Sequence, residues 1–111
     1  MNNSIKEFTY FNELLDLYKN LLTPKQRDVL VRYYEYNLSL SEISEELNIT
    51  RSAVSDAIEH AKEKIINYEK SLKLNEKIHK IIDIVDKSNL SKEEKNEIIK
   101  ELTDGIWGIT R

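Results

Sequence analysis

The side chains able to do chemistry in this chain are few and scattered. Its only imidazoles are His60 and His79. On one helix they would stand about five turns, ~28 Å, apart, too far to share a metal or a proton relay. His79 has no Cys, Asp or His at ligand spacing except Asp83, and such i,i+4 pairs arise on any charged helix. There is no cysteine, which removes thiolate metal sites, disulfides and thiol redox chemistry. No glycine-rich phosphate loop and no Ser/His/Asp arrangement is present. The residues point to a protein that is not an enzyme and takes no metal and no cofactor. What they do offer is a group of small hydrogen-bonding side chains around one cation: Thr50, Arg51, Ser52, Ser55, Asp56 and Glu59. A guanidinium and hydroxyls at the start of a helix suit phosphate oxygens and guanine edges.

Those residues need a scaffold, and the flanking sequence supplies one. Ser39-Leu40-Ser41-Glu42 is a capping box, with Ser39 as the cap and Glu42 reaching back, so a short helix should run from Leu40 to about Leu47. Asn48 follows, a residue that tolerates the left-handed region. Thr50 then caps a helix starting at Arg51. Ser44 is small enough to let the second helix approach the first. Ile43, Leu47, Ile49, Val54 and Ile58 are spaced to close a small core between them. This is the pattern of a helix-turn-helix over about residues 39–60, with the second helix facing a major groove.

The remaining elements read as helices too. Phe8, Phe11, Leu14, Leu15, Tyr18, Leu21 and Leu22 trace one face of a first helix. Thr23-Pro24-Lys25-Gln26 is a second capping box with proline at the first helical position, opening a helix to about Tyr36 that buries Val29, Leu30, Tyr33 and Tyr34. The fourth helix meets no stop before Ser88-Asn89, although a break near Leu72–Asn75 is open. Its seam, Val54, Ile58, Ala61, Ile65, Tyr68 and Leu72, alternates steps of three and four. Ser91-Lys92-Glu93-Glu94 starts a last helix, closed by Gly105, and the apolar tail Ile106-Trp107-Gly108-Ile109 is expected to dock.

Composition agrees. In 111 residues there are two glycines and one proline, and 33% of residues are charged. That scarcity of turn formers favours long helices joined by short connections. No apolar run is long enough for a membrane span, and no secretory leader is evident; with the missing cysteine this suggests the cytoplasm. The net charge is −3. Between Ser39 and His60 the only cation is Arg51, against Glu42, Glu45, Glu46, Asp56 and Glu59, a surface that bare phosphates repel. Other cations lie elsewhere: Lys25, Arg27 and Arg32 on the second helix, and a stripe of Lys62, Lys64, Lys70, Lys73, Lys77 and Lys80. That stripe suits an RNA backbone or is a solvated face with i,i+4 pairs such as Glu69–Lys73.

Three runs taken together resemble one bacterial family. They are Leu21-Leu22-Thr23-Pro24-Lys25-Gln26, then Tyr33-Tyr34, then the stretch from Leu38-Ser39-Leu40-Ser41-Glu42 through Thr50-Arg51-Ser52-Ala53-Val54-Ser55-Asp56. The chain resembles the YlxM family of helix-turn-helix proteins over nearly its full length. The resemblance implies an all-α fold: a helix-turn-helix like region 4 of sigma factors, without a wing, followed by a long fourth helix and a C-terminal helix. It implies a regulatory role in the protein-targeting pathway of the signal recognition particle, and it makes Arg51, Ser52, Ser55 and Asp56 the recognition-helix positions. Many relatives have glycine where this chain has Asn48.

The expected organisation is a helix-turn-helix domain at 1–66 and a helical extension at 67–111. Two functions remain in view. One is a nucleic-acid-binding regulator that meets DNA, or the particle's RNA or protein component. The other is a protein–protein adaptor whose helix-turn-helix does not bind DNA. In either case Ile65, Tyr68, Leu72 and Trp107 are candidates for a dimer or partner contact, and a homodimer is expected.

Overall fold

The computed structural model describes residues 2–104 and 106. Among these there is no strand; helices follow one another as α1 (Asn2–Tyr18), α2 (Pro24–Leu30), α3 (Leu40–Leu47), α4 (Arg51–Leu72), α5 (Leu74–Asp86) and α6 (Lys92–Thr103). None is long and apolar enough to cross a membrane.

Local side chain–backbone bonds set most helix starts. Thr23 accepts from the N–H of Gln26, and the Gln26 side chain accepts from the N–H of Thr23. The same two-way bonding joins Ser39 to Glu42 and Ser91 to Glu94. Each box satisfies backbone donors that the first helical turn leaves without partners. α1 ends in one 3-10 turn, Lys19–Leu21.

α2 departs from the regular helix expected to Tyr36. Its last turn, Val31–Glu35, widens to a π-helix, with the N–H of Tyr36 donating to the carbonyl of Val31 at 3.0 Å. The widened turn sits where Tyr34 packs on two rings of α1, Phe11 at 4.7 Å and Phe8 at 5.2 Å between centroids. Tyr33 meets Tyr34 edge-on at 5.0 Å. Both tyrosines are half-buried, where the sequence pattern expected burial, because the stack lies at the margin of the core. Asn37, at φ 57°, ends the element.

The core is built by α1, α2, α3 and the first half of α4: Phe11, Leu14, Leu15, Tyr18, Leu22, Val29, Leu30, Ile43, Val54, Ile58, Ala61 and Ile65. Phe8 and Leu21, also assigned to the buried face of α1, are exposed. Burying a leucine or isoleucine of this set contributes on the order of 2 kcal/mol. Arg32 ties α3 to the α2 segment by bonding both Asp28 and Glu46. α5 docks on α1, and α6 folds back along α5.

The fourth helix is not continuous. α4 stops at Leu72, Lys73 takes φ 56° and ψ 30°, and α5 starts at Leu74. A non-glycine residue in this region costs about 1–2 kcal/mol. No glycine or proline marks the place, and its cause is tertiary.

Candidate functional site

The turn of the helix-turn-helix is local in origin. Asn48 adopts φ 58° and ψ 45°, the left-handed conformation that Asn accepts most readily after glycine. The N–H groups of Asn48 and Ile49 both donate to the carbonyl of Ser44, closing the end of α3. Ile43 and Val54, one from each helix, are fully buried against each other's elements. Ile49, assigned to the same small core, is 41% exposed. Instead of closing that core it lines an open groove of about 620 Å³ with Val29, Leu47, Ala57 and His60, between α2, the turn and α4.

α4 then presents the predicted recognition residues on its first turns. Thr50 accepts from the N–H of Ala53 at 3.0 Å. Position three of this helix is alanine, so the reciprocal half of a capping box is absent, and no acidic residue lies in the first turn. Arg51, Ser52, Asp56 and Glu59 are exposed and Ser55 is half-buried. Arg51, Ser55 and Glu59 lie at i,i+4 steps along one face. Among the described residues nothing holds the guanidinium of Arg51, the first residue of α4. The carboxylate excess on this unit is reduced because Glu46 is engaged by Arg32. Glu59 lies 4.0 Å from Lys62.

The cationic stripe does not survive as one surface. Lys62 stands 5.7 Å from the centroid of the Phe11 ring. Lys64 donates to the side chain of Gln26 at 3.1 Å. The bend at Lys73 then turns Lys77 and Lys80 onto a different axis from Lys62 and Lys64. Arg32, read as an available cation, is neutralised by its two carboxylates.

The partner-contact residues separate. Ile65 is 0% exposed within the chain's own core, so its side chain is not a surface for a partner. Tyr68 packs against that core and donates its hydroxyl to the carbonyl of Leu21 at 3.3 Å. Leu72 is 46% exposed. Trp107, Gly105 and the rest of the apolar tail beyond Ile106 lie outside the described residues.

The sequence pattern missed the most elaborate polar cluster of the molecule. Glu69, expected to pair with Lys73 on a solvated face, turns inward and is 9% exposed. Its Oε1 accepts from the Tyr18 hydroxyl at 2.6 Å and from the N–H of Asn75 at 3.1 Å. Its Oε2 accepts from the N–H of Glu76 at 3.1 Å. The Tyr18 oxygen in turn accepts from the N–H of Leu74 at 3.3 Å. Glu13 of α1 accepts from the Asn75 side chain at 3.2 Å and lies 2.8 Å from His79 Nε2. Burial first, and then the bond to Glu69, push the Tyr18 phenol up from 10.0 to about 12. The cluster acts as the N-terminal cap of α5, which has no side-chain cap at Lys73 itself. The sequence signal that could have found it is the spacing of Glu69, four positions after Ile65 on the seam of α4, together with Tyr18 on the inner face of α1. Among the described residues, no group of histidines and carboxylates is arranged to hold a metal.

Helices α3 and α4, braced across a left-handed turn with the second helix's first turns open to solvent, define an all-helical helix-turn-helix protein. Residues 5–105 match the UPF0122 family of YlxM / p13-like helix-turn-helix proteins. A UPF0122 protein of Mycoplasma capricolum is 35% identical over 106 residues, covering 96% of this chain and 94% of the relative. One from Oceanobacillus iheyensis is 38% identical over 98 residues, covering 86% and 93%. One from Clostridium acetobutylicum is 42% identical over 80 residues, covering 72% and 69%. The chain belongs to the UPF0122 family.

Proposed function

We propose that this chain is a nucleic-acid-binding regulatory protein that meets a phosphate backbone with the first turns of α4 and takes part in the protein-targeting pathway of the signal recognition particle. The observation that carries the binding reading is Arg51: exposed, without a carboxylate partner among the described residues, and on the opening turn of a helix that holds no acidic residue there. Ser52 and Ser55 add hydroxyl donors on the same turns. Helix amides and a guanidinium in this arrangement favour a phosphate oxygen, with a base edge in reach of the longer side chain. The link to the targeting pathway rests on the resemblance to YlxM proteins.

Around this cation the surface stays acidic, which makes weak, strongly salt-dependent binding the expected behaviour. The test is fluorescence anisotropy with labelled random duplex DNA and with a structured RNA, from low to physiological salt. Binding that weakens as salt rises, and that falls about tenfold for Arg51→Ala, supports the reading; roughly 1–3 kcal/mol accompanies loss of one good arginine contact. No binding to either polymer at low salt rejects it. The adaptor reading draws on Glu42, Glu45 and Asp56 around the same face, and predicts that reversing their charges leaves the protein's cellular role intact.

A further inference from the structure

We infer that the α4–α5 joint is a hinge held shut by Glu69, and that opening it makes α4 and α5 one helix whose α5–α6 arm docks on α1 of a second copy of this chain. The joint is a single residue. Lys73 ends α4 and caps α5 at once, in a left-handed conformation that its β-carbon disfavours. The residues on either side, Glu69-Lys70-Ser71-Leu72 and Leu74-Asn75-Glu76-Lys77, contain no helix breaker, so local preference favours running straight through.

Hydrogen bonding does not oppose that change. The bend deprives three amides, those of Leu74, Asn75 and Glu76, of helical acceptors. In the bent chain these same three donate to the Tyr18 hydroxyl and to the two oxygens of Glu69. In a straight helix they donate instead to the carbonyls of Lys70, Ser71 and Leu72, four residues back. The backbone is satisfied in both states. The bent state also carries a defect: the side-chain oxygen of Asn75 is buried with no hydrogen-bond partner among the described residues.

What the straight state loses is the seat of α5 on α1. Asn75 is 2% and Ile78 8% exposed in the bent chain, and Glu13 engages both Asn75 and His79. Straightening uncovers that face of α5, and it uncovers the matching face of α1 around Glu13 and Tyr18. A second copy carries both faces in complementary form, so two straightened chains restore each other's contacts without any new surface. Short, strained hinges invite this exchange.

The absence of cysteine allows a clean test. Cysteines introduced as Glu63→Cys and Lys87→Cys, both at exposed positions, carry spin labels on either side of the joint. A straight helix separates these backbones by ~36 Å, and the bent chain brings them closer. The full chain is measured by pulsed dipolar spectroscopy over a concentration series, with sedimentation velocity in parallel. The expected result is a long distance whose share grows with the dimer fraction. Glu69→Gln places an amide N–H against the Glu76 donor and should raise that share at least tenfold. Lys73→Gly relieves the left-handed residue and should abolish it. A wild-type chain with only the short distance at every concentration overturns the inference, as does a dimer in which the long distance is absent. So does a Glu69→Gln chain, helical by circular dichroism, that stays bent and monomeric; if that variant does not fold, the wild-type series and Lys73→Gly decide.

Discussion

Two residues of this chain occupy nearly the same backbone conformation for different reasons. Asn48 in the helix-turn-helix has φ 58°, and Lys73 between α4 and α5 has φ 56°. At Asn48 the side chain itself tolerates the conformation, and the helix end closes on the carbonyl of Ser44, four residues away. At Lys73 the side chain resists it, and the acceptors come from Glu69 and from Tyr18 on a different helix. A turn written in local residue types is fixed by the residues that make it. A turn imposed from outside is only as firm as the contact that imposes it.

The sharpest way to break this comparison is to remove Glu69. In the bent chain Glu69→Ala leaves the Tyr18 hydroxyl and the Asn75 and Glu76 amides without their acceptor. The first two are buried and each costs about 1–3 kcal/mol when left without an acceptor, while the Glu76 amide is partly open to water; the dilute monomer should lose roughly 3 kcal/mol in urea unfolding followed by circular dichroism. An unchanged midpoint would show that the cluster does not hold the joint.

Tyr18→Phe acts on the same joint more gently, with an expected loss of about 1–2 kcal/mol. It also has a signature in pH. The folded-state pKa of Tyr18 lies above its ordinary 10.0, at about 12, so its neutral form stabilises the fold. That contribution is complete below pH 10 and is lost as pH rises through 12. Thermal unfolding between those values should show an alkaline decline that Tyr18→Phe reduces; an identical decline in both chains would contradict the role given to this phenol.

A local cap provides the contrast. Ser39→Ala removes one half of the box at the start of α3 and should cost about 1 kcal/mol. Hydrogen exchange should show the first turn of α3 opening while α5 stays protected. Loss of protection in α5 as well would mean the two regions are not independent.

The smallest effects come from putting glycine at each left-handed residue. Lys73→Gly removes a steric penalty and should stabilise the bent chain by up to about 1 kcal/mol, whereas Asn48→Gly should change stability by only a few tenths. Equal shifts in the two thermal midpoints would erase the distinction drawn here.

The candidate interface divides along the same line. The caps at Thr23, Ser39, Thr50 and Ser91 and the bend at Asn48 were legible in the residues, because each depends on hydrogen bonds that close within a few positions of the chain. The placement of Thr50, Arg51, Ser52, Ser55, Asp56 and Glu59 on the opening turns of α4 followed from those caps. Burial at the margin was not legible. Ile49 opens onto a groove, Ile65 joins the chain's own core, and Tyr33 and Tyr34 stop halfway, since periodicity names a face but not what covers it.

The sequence alone thus determined an all-helical chain with a helix-turn-helix at 39–60, through interactions that close within a single turn. Only the tertiary structure decided that the long fourth helix bends at Lys73, that Glu69 faces inward, and that Arg32 is paired while Arg51 has no partner among the described residues. Those outcomes depend on partners brought together from far along the chain, 56 positions in the case of Tyr18 and Leu74. A backbone donor accepts whichever acceptor packing delivers to it, and no local residue pattern records that delivery.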